Sequence, residues 1–263
     1  MEITHYLYNS FVIAAGGLRV AIDPGGELYH FGFNPIIPRS VWSSITHVLV
    51  THADPDHHWH TDRLVAVSGA TVICGSGLTR LRGGKRFMIG PRSRGLSYAY
   101  CPPRLITVDS GETVVEQAMS VTGVAAEHGP LSFRIGPIRK TLRPGPSERI
   151  GYGAMGFLLE IEGRIVVNLG DTLKLLDRWT GFPKPDVLMI PIGGDAIGNT
   201  MGVADAIEVT EALRPRTVIP CHYDLPSFLK RNANPADARG FAEAVESMGI
   251  ECRVLNRDET IVL

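Results

Sequence analysis

The stretch Thr51-His52-Ala53-Asp54-Pro55-Asp56-His57-His58 constrains this chain more than any other, because it gathers two carboxylates and three imidazoles into eight residues. It follows residues 46–51, a short β-branched apolar run that reads as a strand. Residues 62–68 then read as a helix and 70–74 as the next strand, so the polar stretch is the loop of a strand, loop, helix, strand unit. Side chains at alternate positions of such a loop can converge on one point, and imidazole mixed with carboxylate suits borderline and hard divalent ions. His52 and Asp54 would serve one ion, and Asp56 and His57 a second. Taken alone, the stretch is also an ordinary polar turn in which Asp56 caps the following helix.

Other residues repeat the same placement. His128, Asp171 and His222 each lie just past an apolar run and beside turn residues, where sheets present functional groups. Asp23, after Val20-Ala21-Ile22, reads as a turn residue or a support for ligands rather than a ligand. Residues 3–7, 11–15 and 18–22 predict a β-meander; 113–115, 119–124, 186–191, 217–220, 252–255 and 260–263 predict further strands. Residues 156–161 and 164–168 predict a hairpin across Glu162-Gly163, and 203–213 and 235–248 predict helices. Two runs of strands with helices between and after them predict an α/β fold of two sheets packed face to face, helices covering the outsides. A length of 263 residues fits one such domain, 1–263, with loop insertions near 75–103 and 134–155.

Charge is balanced overall and uneven locally. A net charge of −1 removes the whole-chain basic excess of a dedicated nucleic-acid binder. Residues 63–108 nevertheless contain no acid, while Arg63, Arg80, Arg82, Lys85, Arg86, Arg92, Arg94 and Arg104 are basic. Residues 134–155 add Arg134, Arg139, Lys140, Arg143 and Arg149 against Glu148. The N-terminus has no basic lead into an apolar stretch and no apolar run approaches about 18 residues, so a cytoplasmic protein without a membrane span is expected. Cys74, Cys101, Cys221 and Cys252 form no CxxC pair and read as reduced, mostly buried thiols, Cys221 pointing away from its neighbour His222. His58 and His60 read as solvent-facing or as neighbours of ligands.

In this order and spacing the chain resembles the metallo-β-lactamase superfamily of metal-dependent hydrolases. That superfamily's first loop, His-x-His-x-Asp-His, is followed by a lone His, a bridging Asp and a final His. Here His52-x-Asp54-x-Asp56-His57 is followed by His128, Asp171 and His222. The segments Phe157-Leu-Leu-Glu-Ile, Asn168-Leu-Gly-Asp171-Thr and Asp186 through Gly194 match as well, and Thr200 through Tyr223 is similar to the ascorbate-6-phosphate lactonase-like branch. The resemblance implies a four-layer αββα sandwich and two divalent ions, zinc or manganese first and iron next, held by His52, Asp54, Asp56, His57, His128, Asp171 and His222. Asp54 departs from the pattern, standing where relatives carry a second His; its harder oxygen shifts preference from zinc towards manganese, iron or magnesium. Asn9 likewise lies where relatives often carry His.

The resemblance further implies catalysis by a metal-bridging hydroxide, with Asp171 bridging the ions and Asp56 orienting the attacking oxygen. The electrophile would be an ester, lactone or phosphoester of a small anionic substrate. Tyr223, Asp224, Arg80 and Arg82 are candidates for meeting it, arginine because its fork matches phosphate. Two alternatives stand beside this expectation. A phosphodiesterase acting on nucleic acid or phospholipid would use the basic loops as a track, and a non-catalytic module would keep only the metal-binding fold. The arginines can also serve a solvated loop or pair with acids of another subunit in a homo-oligomer.

Overall fold

A computed structural model of the chain describes residues 1–89, 99–135, 137–145, 150–226 and 232–263. The first sheet is built from β1 (Glu2–Leu7), β2 (Ser10–Ala15), β3 (Leu18–Ile22), β4 (His47–Val50), β5 (Thr71–Cys74), β9 (Leu105–Thr107) and β19 (Glu259–Val262). Its order is β19-β1-β2-β3-β4-β5-β9; β1 to β3 form the antiparallel meander, and β3, β4, β5 and β9 run parallel.

The second sheet comprises β10 (Thr113–Glu116), β11 (Met119–Ala125), β14 (Met155–Ile161), β15 (Arg164–Asn168), β16 (Val187–Pro191), β17 (Thr217–Cys221) and β18 (Glu251–Cys252), hydrogen-bonded in that order. Glu162 and Gly163, both at positive φ, make the tight turn between β14 and β15. From β15 onward the pairing is parallel.

Period-two alternation assigns each strand's two faces. In β4, Leu49 joins the core between the sheets while Val48 and Val50 face outward. In β16, Val187 and Met189 point inward while Leu188 and Ile190 point outward. Ile3, Phe11, Ile22 and Ile73 from one sheet meet Val121, Phe157, Val166 and Ile219 from the other. Helices α1 (Arg39–Trp42) and α3 (Thr61–Ser68) cover the outer face of the first sheet through Trp42, Leu64 and Val65. Helices α4 (Leu176–Trp179), α6 (Val203–Leu213) and α7 (Ala238–Ser247) cover the second through Trp179, Val209, Phe241 and Val245. The short helices α2 (Pro55–His58) and α5 (Gly194–Ile197) follow strand ends. The result is the expected four-layer αββα sandwich. Among the described residues no helix is long and apolar enough to cross a membrane.

Four local expectations change. The stretch 75–103, read as a loop, carries β6 (Thr79–Arg82), β7 (Lys85–Ile89) and β8 (Ala99–Tyr100) as a separate antiparallel sheet. The second stretch carries part of the hairpin β12 (Leu131–Ile135) and β13 (Ile138–Leu142). The helix predicted from 235 begins only at Ala238, where the Asp237 side chain accepts from Gly240 N. The strand predicted over 252–255 is shortened to β18. Arg92, Arg94, Glu148 and Arg149 lie outside the described residues.

Candidate metal centre

Strand direction brings the polar residues to one rim. β15 and β17 run parallel to each other, and β11, two antiparallel steps from β15 across β14, runs the same way. Their C-terminal ends therefore share an edge, and His128, Asp171 and His222 follow those ends. In the first sheet, parallel β3 and β4 lead to Asp23 and His52. The rims are joined where Met155 N donates to Thr51 O (2.9 Å) and His222 N donates to Tyr8 O (3.1 Å).

All seven sequence candidates for metal ligation meet there. Three overlapping groups, His52 with His57 and Asp171, His52 with Asp54 and His128, and Asp56 with His57 and His222, each keep their ligand atoms within 4.8 Å of one another. Asp171 Oδ2 lies 3.1 Å from His222 Nε2, 3.6 Å from His57 Nε2 and 3.8 Å from His128 Nε2. Asp54 Oδ2 lies 3.5 Å from His52 Nε2 and 3.6 Å from His128 Nε2. Asp56 Oδ2 lies 3.5 Å from His222 Nε2 and 3.6 Å from His57 Nε2.

Surrounding groups aim these rings. Asp23, fully buried, accepts from Thr51 N (2.7 Å), Thr51 Oγ1 (2.6 Å), Asn9 Nδ2 (2.7 Å) and His57 Nδ1 (2.7 Å). Donation from Nδ1 leaves the His57 Nε2 lone pair directed into the cluster. His128 Nδ1 donates to Gly129 O at 2.7 Å with the same effect. Asn234 Nδ2 contacts His222 Nδ1 (3.1 Å) and donates to His222 O. Gly151 N donates to Asp54 Oδ1 at 2.8 Å, which ties the end of the second insertion to the centre.

Burial and charge act against each other here. His52 is fully buried, which disfavours its cation, but Asp54 and then Asp171 and Asp23 outweigh this and raise its pKa to about 9. The same balance, set by Asp171 and Asp56, raises His222 to about 9. In His128 burial prevails and its pKa is lowered. Asp54 and Asp56 are both held below the usual carboxylate range despite burial, by His52 and by His57 with His222 respectively.

The remaining candidates lie further out. Tyr223 packs against the outer core of the second sheet, and Asp224 has a buried Oδ1 without a partner among the described residues. Arg80 and Arg82 are exposed on β6. Register places them on the same face as Lys85 and Phe87, opposite to Met88 and Tyr100, which pack inward. His58 and His60 are buried rather than solvent-facing, and His60 Nε2 donates to Gly32 O. Cys221 is buried in the inter-sheet core, where its Sγ donates to Asn9 Oδ1 at 3.5 Å. Sequence reading passed over Asn199, whose Nδ2 donates to Asp171 Oδ2 at 3.3 Å, and Asn234; neither follows an apolar run.

Known proteins share the family and the fold of this chain. The Beta-lactamase superfamily domain matches residues 2–222. A UPF0173 metal-dependent hydrolase of Symbiobacterium thermophilum is 28% identical over 263 residues, covering 98% of this chain and 97% of that protein. Among solved structures, Igni18, a novel metallo hydrolase from the archaeon Ignicoccus hospitalis, superposes with a TM-score of 0.68 at 20% identity, over 99% of this chain and 97% of its own. CmlA, a diiron beta-hydroxylase from Streptomyces venezuelae, shares the fold at TM-score 0.65 and 16% identity, over 100% of this chain and 54% of its own. The family match spans most of the chain and these neighbours share its layers, so the protein belongs to the metallo-β-lactamase superfamily of metal-dependent hydrolases.

Proposed function

We propose that His52, Asp54 and His128 hold one divalent ion and Asp56, His57 and His222 a second, with Asp171 between them, and that the chain hydrolyses an ester, lactone or phosphoester of a small anionic substrate. One observation carries this reading: among the described residues His52 Nε2, His128 Nε2 and Asp171 Oδ1 are buried without a hydrogen-bond partner, inside a cluster of seven ligand-type side chains. Each such orphan costs about 1–3 kcal/mol, a cost that ligation removes. The donor set fits zinc or manganese, and iron next, with the Asp54 carboxylate favouring the harder ions. Ions bound there supply Lewis acidity and bring the pKa of water from 15.7 towards about 7.

The chain's own residues do the rest. Asp23 and Gly129 O fix the tautomers of His57 and His128, so that each Nε2 is free to ligate. Asp56 and Asp171 each place a carboxylate oxygen within 3.6 Å of both His57 Nε2 and His222 Nε2, where they would orient an attacking water. Tyr223 and Asp224, beyond His222, would border the substrate, and Asp224 Oδ1 supports this by being buried without a hydrogen-bond partner among the described residues. Arg80 and Arg82 would attract the substrate's charge from their exposed strand.

A specific observation favours a second reading, hydrolysis of a phosphodiester in nucleic acid or phospholipid: Arg80, Arg82 and Lys85 share one exposed face, which suits an extended polyanion. Metal analysis combined with a panel of lactones, phosphate monoesters and phosphodiesters tests both. Two equivalents of ion, lost in His57→Ala and Asp171→Ala together with turnover of any of these substrates, is the expected result. A protein that takes up no metal and ignores chelators would be a non-catalytic module.

A further inference from the structure

Asn199 reaches the centre from a turn. It follows α5 and the left-handed Gly198 and is 6% exposed. Its backbone O accepts from Gly129 N at 2.7 Å, beside His128. Its side-chain Nδ2 donates to Asp171 Oδ2 at 3.3 Å, and the amide orientation is fixed because a carboxylate can only accept. The next residue grips the same strand end, Thr200 Oγ1 accepting from Thr172 N (3.1 Å) and donating to Thr172 O (3.0 Å). The turn thus ties the strand end that carries His128 to the one that carries Asp171.

Asn199 Oδ1, in contrast, is buried with no hydrogen-bond partner among the described residues. A buried amide placed for packing alone is ordinarily satisfied at both ends. This one is satisfied only towards Asp171. We infer that Asn199 is a positioning residue that holds the Asp171 carboxylate in the orientation in which its Oδ2 reaches His57, His128 and His222 at once. The inference rests on the two-ion reading of the centre.

The test compares wild type, Asn199→Leu and Asn199→Gln as full-length proteins. Zinc and manganese affinities are read by competition with a chromophoric chelator, and the melting temperature of each metal-free form is read by circular dichroism. Leucine fills a similar volume without the donor, so N199L is expected to bind at least one equivalent about 10- to 100-fold more weakly, with the metal-free melting temperature maintained. N199Q, which keeps an amide donor, is expected to recover part of that affinity. Should N199L not fold, Asn199→Ala makes the same comparison. Wild-type affinity in N199L overturns the inference while leaving the two-ion reading intact, as does an equal loss in N199L and N199Q accompanied by an equal fall in melting temperature. A wild-type protein that takes up no ion overturns the two-ion reading and this inference with it.

Discussion

Asp23 Oδ2 lies 2.7 Å from His57 Nδ1, with both side chains fully buried. The carboxylate also receives Thr51 and Asn9, so it fixes the loop that starts the cluster as well as one ring within it. Asp23→Asn keeps the shape but turns an NH2 group towards donors. It is expected to weaken metal binding about 10- to 100-fold and to lower unfolding free energy by about 1.5–3 kcal/mol, the worth of a hydrogen bond to a charged group. Chelator competition and urea unfolding check the two arms; unchanged metal affinity would show that His57 needs no such anchor.

The metal-free centre should respond to pH in the opposite sense to the loaded one. His52 and His222, ordinarily near 6.5, are raised to about 9 by the carboxylates around them despite burial. A base whose pKa rises on folding stabilises the fold fully below its unfolded pKa and loses that contribution as pH climbs through its folded pKa. With chelator present, the melting temperature should therefore fall between about pH 6.5 and 9. Metal needs both rings neutral, so its affinity should rise over the same interval. Thermal scans with and without zinc or manganese read both trends, and a flat profile in chelator would contradict this balance of burial and charge.

Asp54 serves two neighbours at once. Its Oδ2 faces His52 and His128, while its Oδ1 accepts from Gly151 N. Asp54→His should shift the ratio of manganese to zinc affinity towards zinc by replacing hard oxygen with imidazole. It should also leave Gly151 N without its acceptor, so the Gly151 amide should exchange hydrogen faster than in wild type. Slow exchange in D54H would mean that other contacts hold this segment.

Gly151 itself has little freedom. Its φ is +56°, and a Cβ added there would collide with the His128 ring. Gly151→Ala must therefore push the ring or leave the left-handed region, at about 1–2 kcal/mol for the backbone alone. The expected outcome is a less stable metal-free protein whose binding is weakened mainly at the His52, Asp54 and His128 group. Uniform weakening of both equivalents would place the strain elsewhere.

The clustering of the loop from His52 to His57 was legible in sequence because its ligand-type side chains are local, and that of His128, Asp171 and His222 because each follows an apolar strand. The layers were legible for the same reason: alternation in β4 and β16 is set by burial on both faces. Asn199 and Asn234 were not legible, since they act across 28 and 12 residues from turns that no pattern marks. The strands of the 79–100 sheet were hidden by Arg80, Arg82, Lys85, Arg86 and Gly83-Gly84, which break apolar alternation on a mostly exposed sheet held by backbone pairing.

That exposed sheet gives the sharpest test of substrate size. Arg80 and Arg82 are solvated and share a face with Lys85, while the opposite face packs through Met88 and Tyr100. Charges so exposed are screened by salt and act over about 8–10 Å, so they steer rather than clamp. For a small anion, Arg80→Ser combined with Arg82→Ser should change kcat little and lower kcat/KM only a few-fold at low salt, the difference vanishing at about 0.5 M salt. For a polyanion, the same pair of substitutions should reduce by about two the number of counterions released on binding, read as the slope of log affinity against log salt. Rates measured across a salt series on a monoester and on a single-stranded oligonucleotide separate the cases, because the counterion slope responds only to a chain whose phosphates bind along this face.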